Sequence, residues 1–123
     1  MTHKLIHWFD IPVDDIERAG RFYSTVLDVQ LTHLQAPPDF VMKWFPSEDA
    51  HGGGGLIQGG GRRPARDGTV VYFNGGEDLN TVLNRVEPAG GKVITPKTGN
   101  DQSGYVAFFL DTEGNTVGLQ SMK

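Results

Sequence analysis

The stretch Leu5 to Leu27, LIHWFDIPVDDIERAGRFYSTVL, most constrains the fold, because it reads as an apolar strand, a sharp turn and an amphipathic helix in succession. Alternation along Leu5 to Pro12 puts Ile6, Trp8 and Asp10 on one face and Leu5, His7, Phe9 and Ile11 on the other. A carboxylate therefore stands beside an indole. Asp14 is placed to cap the helix, with Glu17 three residues on in a capping-box-like pair. Ile16, Ala19, Phe22, Tyr23, Val26 and Leu27 recur at helical spacing, a stripe that needs a sheet to cover it. A weaker copy begins at Thr69: TVVYF reads as a strand and Asn74-Gly75-Gly76 as a turn. A helix follows from about Glu77 to Val86, ended by Pro88 and Gly90-Gly91.

Each copy is followed by further strands. After the first come Gln30 to Gln35, a turn at Ala36-Pro37-Pro38-Asp39, Phe40 to Phe45, and Leu56 to Gln58. After the second come Lys92 to Thr95, a polar loop Thr98 to Gly104, Tyr105 to Leu110, the turn Asp111 to Asn115, and Thr116 to Met122. The order β-α-β-β-β thus occurs twice, an internal repeat of about 60 residues. One such unit alone leaves an apolar sheet face uncovered, so the two are expected to pair. The expectation is an α+β fold of two βαβββ modules curving around a cleft. It forms one domain over residues 1–123, with module 5–58 and module 69–122 joined by a Gly/Arg-rich linker.

Composition narrows the function. The absence of cysteine removes disulfides, thiolate metal sites and cysteine nucleophiles together. A net charge of −4 with no long run of either sign gives no nucleic-acid surface. No segment approaches the roughly 20 apolar residues of a membrane span, and a soluble, cytoplasmic protein is expected. The glycine clusters Gly52 to Gly55 and Gly59 to Gly61, followed by Arg62, Arg63 and Arg66, lack the strand–loop–helix context of a phosphate loop. They read as permissive spacers between modules, or as a flexible rim of a pocket.

The opening FDIPVDDIERAGRFYSTVLDV, the helix exit AGGKVITPKT and the closing YVAFFLDTEGNTVGLQS resemble the vicinal oxygen chelate superfamily. That superfamily includes glyoxalase I, extradiol dioxygenases, and bleomycin and fosfomycin resistance proteins. GGGGLIQGGG and NGGEDLNTVLNRV resemble its small bacterial glyoxalase-related members. The resemblance implies a homodimer, and in metal-dependent members a divalent ion held from the first and fourth strands of each module. Carried onto this chain, the four ligand positions fall on Trp8, Gln58, Thr69 and Gly118. An indole, an amide, a hydroxyl and no side chain bind zinc, iron or nickel poorly, so no metal and no other cofactor is expected. His7 faces away from Trp8, and His3, His33 and His51 lie elsewhere.

Trp8, Asp10, Gln58, Thr69, Val71, Gly118 and Gln120 are the expected lining of a ligand cleft between the modules. Trp8 offers a stacking wall, Gln58, Gln120 and Thr69 offer hydrogen bonds, and Gly118 leaves room. Asp10 is the one weak candidate for a general base. The leading expectation is a glyoxalase-like or resistance-like protein that binds a small polar or aromatic molecule. The alternative is a metal-dependent lyase or dioxygenase related to glyoxalase I, acting on a carbonyl or vicinal-oxygen substrate.

Overall fold

A computed structural model describes residues 5–35, 39–48 and 53–123, so the expected turn at Ala36-Pro37-Pro38, and also His3, His51 and Gly52, lie outside the described residues. The order is β1 (Phe9–Pro12), α1 (Ile16–Leu27), β2 (Thr32–Gln35), β3 (Phe40–Trp44) and β4 (Gly54–Gly59). Then come β5 (Val71–Asn74), α2 (Leu79–Leu83), β6 (Lys92–Asn100), β7 (Gly104–Leu110) and β8 (Thr116–Ser121). Two four-stranded mixed sheets result, ordered β1-β4-β3-β2 and β5-β8-β7-β6. In each, the first strand of the βαβββ unit pairs in parallel with the fourth, and the remaining pairs are antiparallel. The fold is the expected α+β arrangement of the vicinal oxygen chelate proteins.

Several boundaries differ from expectation, each for a local reason. Leu5, Ile6 and His7 are exposed and precede β1, whose ladder with β4 begins at Phe9 opposite Gly54. Asp15, not Asp14, caps α1: its carboxylate accepts from the Glu17 and Arg18 N–H groups. The N–H groups of Asp14 and Asp15 both donate to Glu113. β4 is longer than Leu56 to Gln58, because two of its glycines permit close approach rather than flexibility. The Phe9 ring lies against Gly54 on the helix side, and a side chain at Gly55 would meet the Lys43 carbonyl at 2.8 Å. α2 is one short turn of helix followed by turns, and β6 absorbs part of the expected polar loop, with Pro96 tolerated on an edge strand.

The helix-facing sides of both sheets share one core. Ile11, Leu56 and Phe45 from the first sheet and Ala107, Phe109, Val117 and Leu119 from the second close around Phe22, Tyr23 and Val26 of α1 and Leu79 and Val82 of α2. Tyr23 makes edge-on and tilted contacts with Phe45 and Phe73, and Phe22 reaches Phe109.

A polar latch ties α1 to the turn between β7 and β8. The Tyr23 hydroxyl donates to Asp111 Oδ2 at 2.6 Å, and Asp111 Oδ1 accepts from the Glu113 and Asn115 N–H groups. Asn115 Nδ2 donates to the Pro12 carbonyl at 2.8 Å. The Glu113 carboxylate accepts from the Asp14 and Asp15 N–H groups, from Arg18 through both Nε and Nη2, and from the Thr112 hydroxyl. Desolvation alone would raise the pKa of Glu113. The Arg18 fork, the Thr112 hydroxyl and the two backbone donors outweigh it and hold the carboxyl at about 2.

Candidate functional site

Strand alternation leaves one face of each sheet turned away from the helices. On the first sheet, Asp10 of β1 pairs with Gly55 of β4, and Gly55 and Ile57 pair with Trp44 and Met42 of β3. Asp10, Ile57, Trp44 and Met42, with Trp8, Phe40, Asp39, Gly60 and Arg62, line a cavity of about 470 Å³. Trp8 and Trp44 meet edge to face, with centroids 5.1 Å apart and planes at 67°. Ile57 and Met42 supply a buried apolar floor. The Trp44 indole nitrogen is buried without a hydrogen-bond partner among the described residues.

Both Asp10 carboxylate oxygens are engaged. The Trp8 indole N–H donates to Oδ1 at 2.9 Å, and Arg62 Nη1 lies 3.2 Å from Oδ2. Arg62 reaches this position because Gly59, Gly60 and Gly61 all have positive φ (98°, 66° and 76°), a run that only glycine adopts without strain. The Arg62 N–H closes the turn on the Gly59 carbonyl. A carboxylate held between an indole donor and a guanidinium is an acceptor and counter-ion.

The other expected lining residues do not converge here. Gln58 lies on the helix side of β4, where its amide oxygen accepts from the Ile16 N–H at 2.7 Å and caps the start of α1. Val71 is on the core side of β5, opposite Val117. Thr69 is exposed ahead of β5, at the mouth of a small cavity of about 40 Å³ between Asp10 and Asn115. Gly118 and Gln120 do lie on the outer face of the second sheet. The space over Gly118 is filled, however, because a side chain there would meet Tyr72 Cδ2 at 2.6 Å. Gln120 and Tyr72 line a separate open groove of about 890 Å³. The Trp8 cavity and the Gln120 groove are thus separate, while Asp10, Thr69 and Val71 meet at the small cavity between β1 and β5.

Tyr72, Trp44, Met42 and Arg62 are the residues that sequence reasoning missed. Tyr72 pairs with Gly118 and stands edge-on to Phe108 at 5.6 Å, half-exposed. Counting alternate positions from Val71 would have found it. Among the described residues no three His, Asp or Glu side chains converge as a metal-holding group. The four family ligand positions are also scattered over both faces of the first sheet, an exposed loop and a glycine covered by tyrosine. That donor set does not fit a divalent ion.

Solved structures share this architecture. Glyoxalase I from Zea mays aligns with a TM-score of 0.72 at 20% identity over 94% of this chain and 45% of that one. A genomically encoded fosfomycin resistance protein from Listeria monocytogenes aligns with a TM-score of 0.67 at 16% identity over 98% and 92% of the two chains. A glyoxylase-like domain-containing protein from Didymella fabae is 28% identical over 94% of this chain and 92% of its own length. A sequence profile of one family matches residues 5–119, nearly the whole described fold, and on that match the chain belongs to the Glyoxalase/Bleomycin resistance protein/Dioxygenase superfamily.

Proposed function

We propose that this protein binds a small flat molecule, without a metal, in the cavity on the outer face of its first sheet. The carrying observation is the cavity itself: two indoles edge to face over an apolar floor, with a fixed carboxylate at the rim. Its volume of about 470 Å³ suits a small-molecule site. Aromatic walls give area and shape selection, and the polar rim orients the guest. Lyase or dioxygenase chemistry through a metal finds no support in the donor set, and Asp10 is engaged on both oxygens. The assembly in this reading is a homodimer. Tyr72 and Ile94, at 52% and 40% exposure on the second sheet, are apolar surface that a second copy can cover.

Flat aromatic compounds screened by tryptophan fluorescence, followed by calorimetry on Trp8→Ala, test the reading. Binding should be lost while the far-ultraviolet circular dichroism spectrum is kept. A variant that instead unfolds, losing roughly 3–5 kcal/mol, makes Trp8 a core residue and removes the reading. Stoichiometric zinc, nickel, manganese or iron retained after dialysis would overturn the metal-free part.

A further inference from the structure

Resting on that binding cavity, we infer that its guest is a planar cation, and that Arg62 is a stand-in for the guest supplied by the chain itself. Among the described residues lining the cavity, Asp10 and Asp39 are acidic and Arg62 is basic. With Arg62 withdrawn, two carboxylates and two indoles remain. The Trp8 N–H can only donate, and it does so to Asp10 Oδ1. The exchangeable side is Oδ2, which takes a planar N–H donor, the Arg62 guanidinium, at 3.2 Å. Arg62 leaves easily. Its side chain is 51% exposed, it follows three glycines of positive φ, and exposed ion pairs of this kind are weak.

An occupant that displaces Arg62 must replace its charge, because Asp10 is only 26% exposed and would otherwise face apolar walls without a counter-ion. A flat amidinium or protonated heteroaromatic amine satisfies three demands together: an N–H for Oδ2, positive charge near the indoles, and a thin shape beside the Trp8–Trp44 pair. An anion would meet Asp10 and Asp39. A neutral ring would leave Arg62 in place and compete with it for space. Arg62 therefore acts as an intramolecular competitor, lowering apparent affinity by the fraction of time it holds Asp10.

Three probes of nearly one shape separate these cases: benzamidine, benzamide and benzoate. The chain has two tryptophans, so the indole N–H signals of a ¹⁵N–¹H spectrum report on Trp8 and Trp44 alone. Benzamidine should move both signals and bind most tightly, benzamide weakly, and benzoate least. Arg62→Ala should tighten benzamidine about fivefold by removing the competitor, and Asp10→Asn should weaken it at least about tenfold without weakening benzamide. Benzoate binding best, and losing affinity in Arg62→Ala, would make Arg62 an anion anchor and overturn the inference while the cavity reading stands. Equal binding of the three probes would also overturn it. No shift with any probe on the wild type or on Arg62→Ala would overturn the cavity reading together with the inference.

Discussion

Replacing Glu113 with glutamine tests whether the latch between α1 and the β7–β8 turn is held by charge. The Glu113 side chain has no solvent exposure and receives five donors, two of them from Arg18. Its carboxyl is held at about 2 instead of the usual 4.5. Displacement of that size corresponds to at most about 3 kcal/mol of folding free energy. Arg18 is 47% exposed, so solvent screening reduces this to about 1–2 kcal/mol. Glutamine keeps the shape but removes the charge and turns an N–H₂ group toward donors, so urea unfolding at pH 7 should show a loss of about 2 kcal/mol. The pH dependence carries the sign. A carboxyl depressed in the folded state stabilises above its unfolded value near 4.5, and that share is lost as pH falls through about 2. The gap between wild type and Glu113→Gln should be level from about pH 5 to 8 and narrow between about 4.5 and 2. A gap that stays constant across that lower window would refute the charge argument and leave only packing.

Other perturbations discriminate among local causes. Tyr23→Phe keeps the ring in its aromatic cluster but removes the donor to Asp111, so urea unfolding should show a cost of about 1–2 kcal/mol. Burial, and then the Asp111 charge, hold the Tyr23 hydroxyl well above its ordinary ionisation range. Its contribution is therefore complete below about pH 10 and lost as pH climbs through the folded value, and Tyr23→Phe should unfold less steeply in an alkaline titration. Gly91→Ala should cost about 2 kcal/mol in urea melts, because the new methyl would meet the Leu110 carbonyl at 2.6 Å and the Phe22 ring at 2.7 Å. Gly118→Ala, facing only a half-exposed Tyr72 ring that can swing aside, should cost less than about 1 kcal/mol. Asp15→Ala should lower stability by about 1 kcal/mol in thermal melts, with Asp14→Ala costing less, since Asp15 carries the cap.

The fold was legible because its signals are strong where packing is two-sided. The stripe from Ile16 to Val26 is buried as its spacing demands, and YVAFFL is a strand whose alternate residues, Ala107 and Phe109, are sealed in the core. Ends of elements were less legible. Asp14 and Asp15 are chemically equivalent as caps, and the turn that makes Asp15 the cap is held by Glu113, which accepts both their N–H groups from 98 residues beyond Asp15. No local reading weighs such a partner.

The site was harder to read, because a face assignment with the wrong parity sends every side chain of a strand to the opposite side. Carrying the ligand face onto Thr69 put Val71, two residues on, on the ligand side as well. In β5 it is Val71 and Phe73 that point inward, so Tyr72 turns outward over Gly118. β4 gave a different difficulty: a central strand covered on both faces buries Leu56 and Ile57 alike, so alternation carries no information about Gln58. The glycines misled for a related reason. They look like a linker in sequence, yet Gly54 and Gly55 admit a phenylalanine and a strand backbone, and Gly59 to Gly61 steer Arg62 back to Asp10. An arginine assigned to a solvated linker thereby becomes the counter-ion of Asp10 on the indole-lined face, a pairing that depends on three backbone angles and not on any spacing of side chains.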